Sequence, residues 1–167
     1  MDAAVDVNAL AAELVAMLQA QGKTFATAES CTGGAISQAV TSVPGCSSVM
    51  RGAVVAYHND VKADVLGVGE DVLLKCGAVS EEVVAQMVGG VSALLGADCA
   101  VATSGIAGPG GGTPEKPVGT VWVAAKVGSD IKTRLLRLKD AGRAANVKNS
   151  VVEALRLVLG MLSSDEG

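Results

Sequence analysis

Helix-patterned and strand-patterned segments take turns along nearly the whole of this 167-residue chain, and that alternation limits the fold more than any other feature. NALAAELVAMLQA, residues 8–20, sets Leu10, Leu14, Met17 and Leu18 at helical spacing, with Gly22 as a stop. KTFATAE, 23–29, reads as a strand, and the chain turns at Gly33 and Gly34 into a second helix that ends before VPG at 43–45. RGAVVAYHN, 51–59, has the β-branched density of a buried strand, and NDVKADVLGV predicts a short helix capped by Asn59 or Asp60. Ser80 and Glu82 open a third long helix, SEEVVAQMVGGVSALLG, whose pair Gly89 and Gly90 costs helix stability and points to close packing. ADCAVATSG, 97–105, is a third strand, small and apolar enough to be covered on both faces. The loop GIAGPGGGTPEKPVG, 105–119, precedes TVWVAAKV and KTRLLRLK, a hairpin about GSDI, and a last helix runs from Arg143 to Leu162.

Alternation of this kind, closed by one hairpin, predicts a single α/β domain over residues 1–167. The expected architecture is a three-layer α/β/α sandwich with a mixed, mostly parallel sheet. Phe25, Tyr57 and Trp122 are the only aromatics, so the core must be built of Val, Leu, Ala and Ile, which suits close packing of helix on sheet. A net charge of -4 and this scarcity of aromatics exclude the basic face and stacking platforms of a nucleic-acid binder. No run approaches the roughly 18 apolar residues that a membrane span requires. Cys31, Cys46, Cys76 and Cys99 lack CxxC spacing and no signal-like segment leads the chain, so reduced thiols in the cytoplasm are expected. Gly- and Ala-rich helices point to a homo-oligomer.

Open sheets of this class bind ligands beyond the carboxyl ends of their strands. Three polar groups fall there: AESCTGG at 28–34, YHNDVK at 57–62, and TSG at 103–105 with its loop. Ser30 sits at a strand-to-helix turn, where helix amides can stabilise an oxyanion or a phosphate, and it needs a base. The one histidine, His58, is a candidate, and so is Lys62, since a desolvated lysine loses its proton more readily. Taken alone, Ser30 is first a helix cap and only then a nucleophile, Lys62 is a solvated charge, and Cys31 is a small buried filler or a rival thiol nucleophile. Residue types by themselves give a small-molecule site and no reaction.

AESCTGG, GAVVAYHNDVKADVLGV, GAVSEEVV and TSGIAGPGGGTPEKPVGTVWVA together resemble the CinA C-terminal domain family, the nicotinamide mononucleotide amidohydrolases, over residues 8–162. The chain is similar to the family's stand-alone form; many relatives carry an N-terminal molybdopterin-binding-like domain as well. The resemblance implies hydrolysis of the carboxamide of nicotinamide mononucleotide to nicotinate mononucleotide and ammonia by a Ser-Lys pair, with no metal or cofactor. It implies Ser30 as nucleophile, Lys62 as base, Tyr57 as a supporting hydroxyl bonded to either, and Thr103 as a site threonine that helps hold the oxyanion. Arg143 matches the arginine of a GDR-like motif, read here as DAGR. Thr32, Gly33, Gly34, Ser104, Gly105, Gly108, Lys116 and Arg143 are the expected substrate contacts, with the glycine amides first in line for the phosphate. The alternative is a non-catalytic pyridine-nucleotide-binding module of the competence/damage-inducible type.

Overall fold

The computed structural model describes residues 5–165. In chain order it contains α1 (Val7–Gln21), β1 (Phe25–Glu29), α2 (Ala35–Thr41), β2 (Met50–Val55), α3 (Asn59–Asp64), α4 (Glu70–Cys76), α5 (Glu81–Leu95), β3 (Cys99–Gly105), β4 (Thr120–Val127), β5 (Asp130–Arg137) and α6 (Arg143–Asp165). The five strands form one sheet in the order β2-β1-β3-β4-β5. β1 runs parallel to both β2 and β3, and β4 and β5 add an antiparallel pair beyond them.

Period-two alternation assigns the two faces. Phe25, Cys99, Val101, Val121 and Val123 project into a core shared with α1, α2 and α6. Ala26, Ala28, Ala100, Ala102 and Ala124 project the other way, against Val84, Met87, Val88 and Val91 of α5. An alanine floor lets α5 lie close to the sheet, as the aromatic-poor composition requires. The polar members of the first face, Thr27, Glu29 and Thr103, collect at the strand ends beneath α2, with Glu29 in register with Thr103.

Several elements depart from the sequence reading. α4 was not expected; its signals are Gly69 at the N-cap, Glu70 and Asp71 in the first turn, and Gly77 as a stop. β2 is an edge strand rather than a buried one: it pairs only with β1, and Arg51, Ala53 and Val55 are exposed. The cap of α3 is His58, one residue earlier than expected, with its ring Nδ1 accepting the Asp60 amide. The last hairpin turns on Gly128 and Ser129 alone, since Val127 already pairs with Asp130.

The glycine pair of α5 divides its labour. A Cβ on Gly90 would stand 2.0 Å from the Leu66 carbonyl oxygen, whereas one on Gly89 would meet nothing within 4 Å. Gly90→Ala is therefore expected to cost about 2 kcal/mol or more through overpacking against backbone. Gly89→Ala should gain about 0.5–1 kcal/mol, because an open helical position favours alanine. Urea midpoints of the two variants check the opposite signs.

Candidate active site

The three parallel strands β2, β1 and β3 end on one rim, and the chain leaves β1 toward β2 on one side and returns to β3 on the other. That divergence opens a crevice at the carboxyl end of the central strand. Backbone bonds fasten the rim: the Ser30 amide donates to the Thr103 carbonyl at 3.0 Å and the Ala56 amide to the Glu29 carbonyl at 2.8 Å. Ser30 is thereby fixed between the two neighbouring strands.

Lys62, on α3, enters this crevice. It is 1 % exposed, and its Nζ lies 3.1 Å from Ser30 Oγ and 3.1 Å from the Tyr57 carbonyl oxygen. No carboxylate pairs with it among the described residues. Burial without a counter-charge pushes its ammonium below the ordinary lysine value of 10.5. The neutral amine can then accept the Ser30 proton across the same short contact.

The rival groups are placed elsewhere or silenced. His58 is exposed and occupied as the α3 cap. Cys31, 8 % exposed, lies against the Thr103 hydroxyl, and burial pushes its thiol up to about 11. It stays protonated near neutral pH, which makes it a poor nucleophile. Ser30 is not the cap of α2: that position belongs to Gly34, at φ 105, four residues further on.

Other expected site residues have different employment. Tyr57 is 60 % exposed, and its hydroxyl accepts from Arg143 Nη2 at 3.0 Å rather than meeting Lys62 or Ser30. Arg143 Nη1 also donates to the Gly108 carbonyl at 2.8 Å, so the guanidinium straps the glycine loop to the β2–α3 junction. Ser104 faces the opposite side of the sheet and donates to the Ala78 carbonyl. Lys116 donates to the Cys76 carbonyl at 2.8 Å, a cation at the end of α4. Gly105 is a packing glycine, since a Cβ there would stand 2.6 Å from a methyl of Val121.

The amides expected to take negative charge sort likewise. Gly33 donates to the Ser30 carbonyl and Ala35 to the Thr32 carbonyl, while Ile36 and Ser37 donate to the carboxylate of Glu29. The amides of Thr32 and Gly34 have no backbone partner among the described residues, and that of Cys31 faces only its own sulfur. Those of Cys31 and Thr32, directly after the candidate nucleophile, occupy the usual place of oxyanion donors.

Among the buried polar residues that the sequence reading does not single out, Glu29 and Asn146 bear most directly on the site. Glu29, the fully buried end of β1, was visible only as a lone charge closing an otherwise uncharged strand. Asn146, also fully buried, donates to the Ala107 carbonyl and so anchors the loop from α6; nothing in its local sequence marks it. Among the described residues no three His, Cys, Asp or Glu side chains gather as metal ligands, and no helix is long and apolar enough to cross a membrane.

Comparison with known proteins places this geometry in context. Residues 7–162 match the profile of the CinA C-terminal domain. A CinA-like protein of Cytophaga hutchinsonii is 46% identical over 153 residues, covering 92% of this chain and 36% of its own length. Another, from Thermotoga maritima, is 59% identical over 110 residues, covering 66% of this chain and 27% of its own length. The chain thus spans about a quarter to a third of these curated relatives. Among solved structures, the competence/damage inducible protein CihA from Agrobacterium tumefaciens superposes with a TM-score of 0.92 at 40% identity, covering 95% of this chain and 96% of that one. A CinA superfamily protein from Klebsiella pneumoniae gives 0.92 at 34% identity, covering 96% and 99%.

Proposed function

The chain belongs to the CinA C-terminal domain family, and on that premise we propose that it hydrolyses the carboxamide of nicotinamide mononucleotide to nicotinate mononucleotide and ammonia. The observation that carries the reading is the buried Lys62 amine 3.1 Å from the Ser30 hydroxyl, with burial favouring the neutral base.

Ser30 Oγ attacks the carboxamide carbon as its proton passes to Lys62 Nζ, and the Cys31 and Thr32 amides receive the oxyanion. Lys62 returns the proton to the amide nitrogen, the C–N bond breaks and ammonia leaves an acyl-serine. Water, deprotonated by the same lysine, then adds to the ester carbon. Collapse of that adduct releases the carboxylate product and restores the serine. Thr103 is fully buried and its hydroxyl bonds to Thr32, so it shapes the turn rather than holding the oxyanion.

In this reading the substrate's phosphate meets Arg143, whose contacts to Tyr57 and Gly108 fix it at the rim and leave further N–H donors unspent. Arg143→Leu should raise KM about tenfold or more while kcat changes much less, because a phosphate contact remote from the carboxamide binds ground and transition states alike.

The deciding experiment is product analysis of the purified protein with a panel of pyridine nucleotides. Ammonia and nicotinate mononucleotide from nicotinamide mononucleotide support the proposal. Calorimetric binding of the nucleotide without turnover would make the domain a binding module instead.

A further inference from the structure

Glu29 is a charged side chain with no access to solvent, and the reaction scheme leaves it without a task. Its two oxygens collect four donors. Oε1 accepts from the Thr32 hydroxyl at 2.7 Å and the Ile36 amide at 2.8 Å, and Oε2 from the Thr27 hydroxyl at 3.0 Å and the Ser37 amide at 2.9 Å. No cation pairs with it among the described residues. Each of the four contacts is accepted by a carboxyl oxygen and none is donated.

Ile36 and Ser37 are the second and third residues of α2, whose amides a serine or threonine at the N-cap ordinarily satisfies. Gly34 holds that cap position without a side chain, so Glu29 performs the capping from the end of the neighbouring strand. The same carboxylate sets the direction of the hydroxyl chain behind the turn. Thr32 has one hydroxyl proton and gives it to Glu29, so the 2.8 Å contact between Thr32 and Thr103 runs from Thr103 to Thr32. Neither threonine proton is left over for Ser30. Relieved of capping, the Ser30 hydroxyl has Lys62 as its one side-chain partner among the described residues.

We infer that Glu29 is a positioning residue: its carboxylate draws the capping amides of α2 and the hydroxyls of the turn to itself and so reserves the Ser30 hydroxyl for Lys62. The inference rests on the Ser30-Lys62 reading above, though not on the identity of the substrate. In Glu29→Gln an amide nitrogen replaces one acceptor oxygen and confronts donors, and a turn hydroxyl is drawn in to cap α2.

The test pairs a substrate-independent probe with turnover. A phosphonofluoridate reagent is reacted with the wild-type protein and Glu29→Gln, its attachment to Ser30 located by peptide mass, and ammonia release from nicotinamide mononucleotide followed alongside. The folded variant should label at Ser30 about tenfold or more slowly, the scale of a lost hydrogen bond to a charged group. Its kcat should fall in parallel while KM stays within about threefold. A merely structural carboxylate would lower the melting temperature and leave labelling below it untouched, so a folded variant that labels at the wild-type rate overturns the inference. Should Glu29→Gln not fold, the isosteric Thr27→Val removes one of the four donors; labelling slowed severalfold supports the inference and an unchanged rate overturns it. Wild-type protein that labels at Ser30 but releases no ammonia sinks the substrate assignment alone, and the labelling rates still decide for Glu29. Wild-type protein that does not label at Ser30 removes both readings.

Discussion

Lys62→Met should lower ammonia release from nicotinamide mononucleotide by about a thousandfold or more, the scale on which a general base acts, and yet yield a protein no less stable than wild type near neutral pH. The two halves have one cause. Lys62 is 1 % exposed and has no carboxylate partner among the described residues, so the fold bears the cost of a desolvated amine that methionine, of similar length, does not impose. The pH dependence carries a definite sign. Burial sets the folded-state pKa below the ordinary 10.5. Between those two values the unfolded chain binds the proton and the folded one does not. Stability contributed by this group therefore rises as pH climbs through that window, and the rise disappears in Lys62→Met. The same titration gives kcat/KM of the wild type an ascending limb below 10.5. Denaturant melts at several pH values, set beside the pH-rate profile, measure both. Near wild-type turnover in a folded Lys62→Met would end the dyad proposal.

Ser30→Ala is the second large effect, and Cys31→Ala is its necessary companion. Removing the attacking oxygen should lower kcat by about a thousandfold to a millionfold, with the residual rate coming from the amides and from binding. Cys31→Ala keeps the backbone amide of position 31 and deletes only a thiol held protonated by burial, so it should lose no more than a few-fold. The reverse pattern would make the thiol the nucleophile. Rapid-quench trapping of acyl-enzyme with mass analysis of the peptide containing both residues identifies the attacking atom.

Departures from the sequence reading have a common physical origin. Helical periodicity and β-branched density located most elements, because each reports whether a local stretch has one covered face or two. Edge and centre are not local properties: RGAVVAYHN looks like a buried strand, and only the order β2-β1-β3-β4-β5 leaves it with a single neighbour. α4 is too short for its seven residues to show a period against the Gly-flanked background. At the site, the rim itself was foreseeable from where polar residues follow strands. The direction of each side chain was not. Ser104 and Thr103 are adjacent and were assigned to the same pocket, yet alternation along β3 sends one to the Ala78 carbonyl and the other beneath α2. Lys116 and Tyr57 are site groups by the resemblance, and partners distant in sequence hold their polar ends.

The amino-acid order alone determined the layers, the aromatic-poor core and the three junctions that converge on one rim, because burial and turn chemistry are written within a dozen residues of one another. Tertiary structure alone decided which lysine is dry, which residue caps α2 and where each hydroxyl proton goes. Those outcomes depend on pairing residues such as Ser30 with Lys62 and Glu29 with Thr103, whose separation in space is set by sheet register and helix docking rather than by distance along the chain.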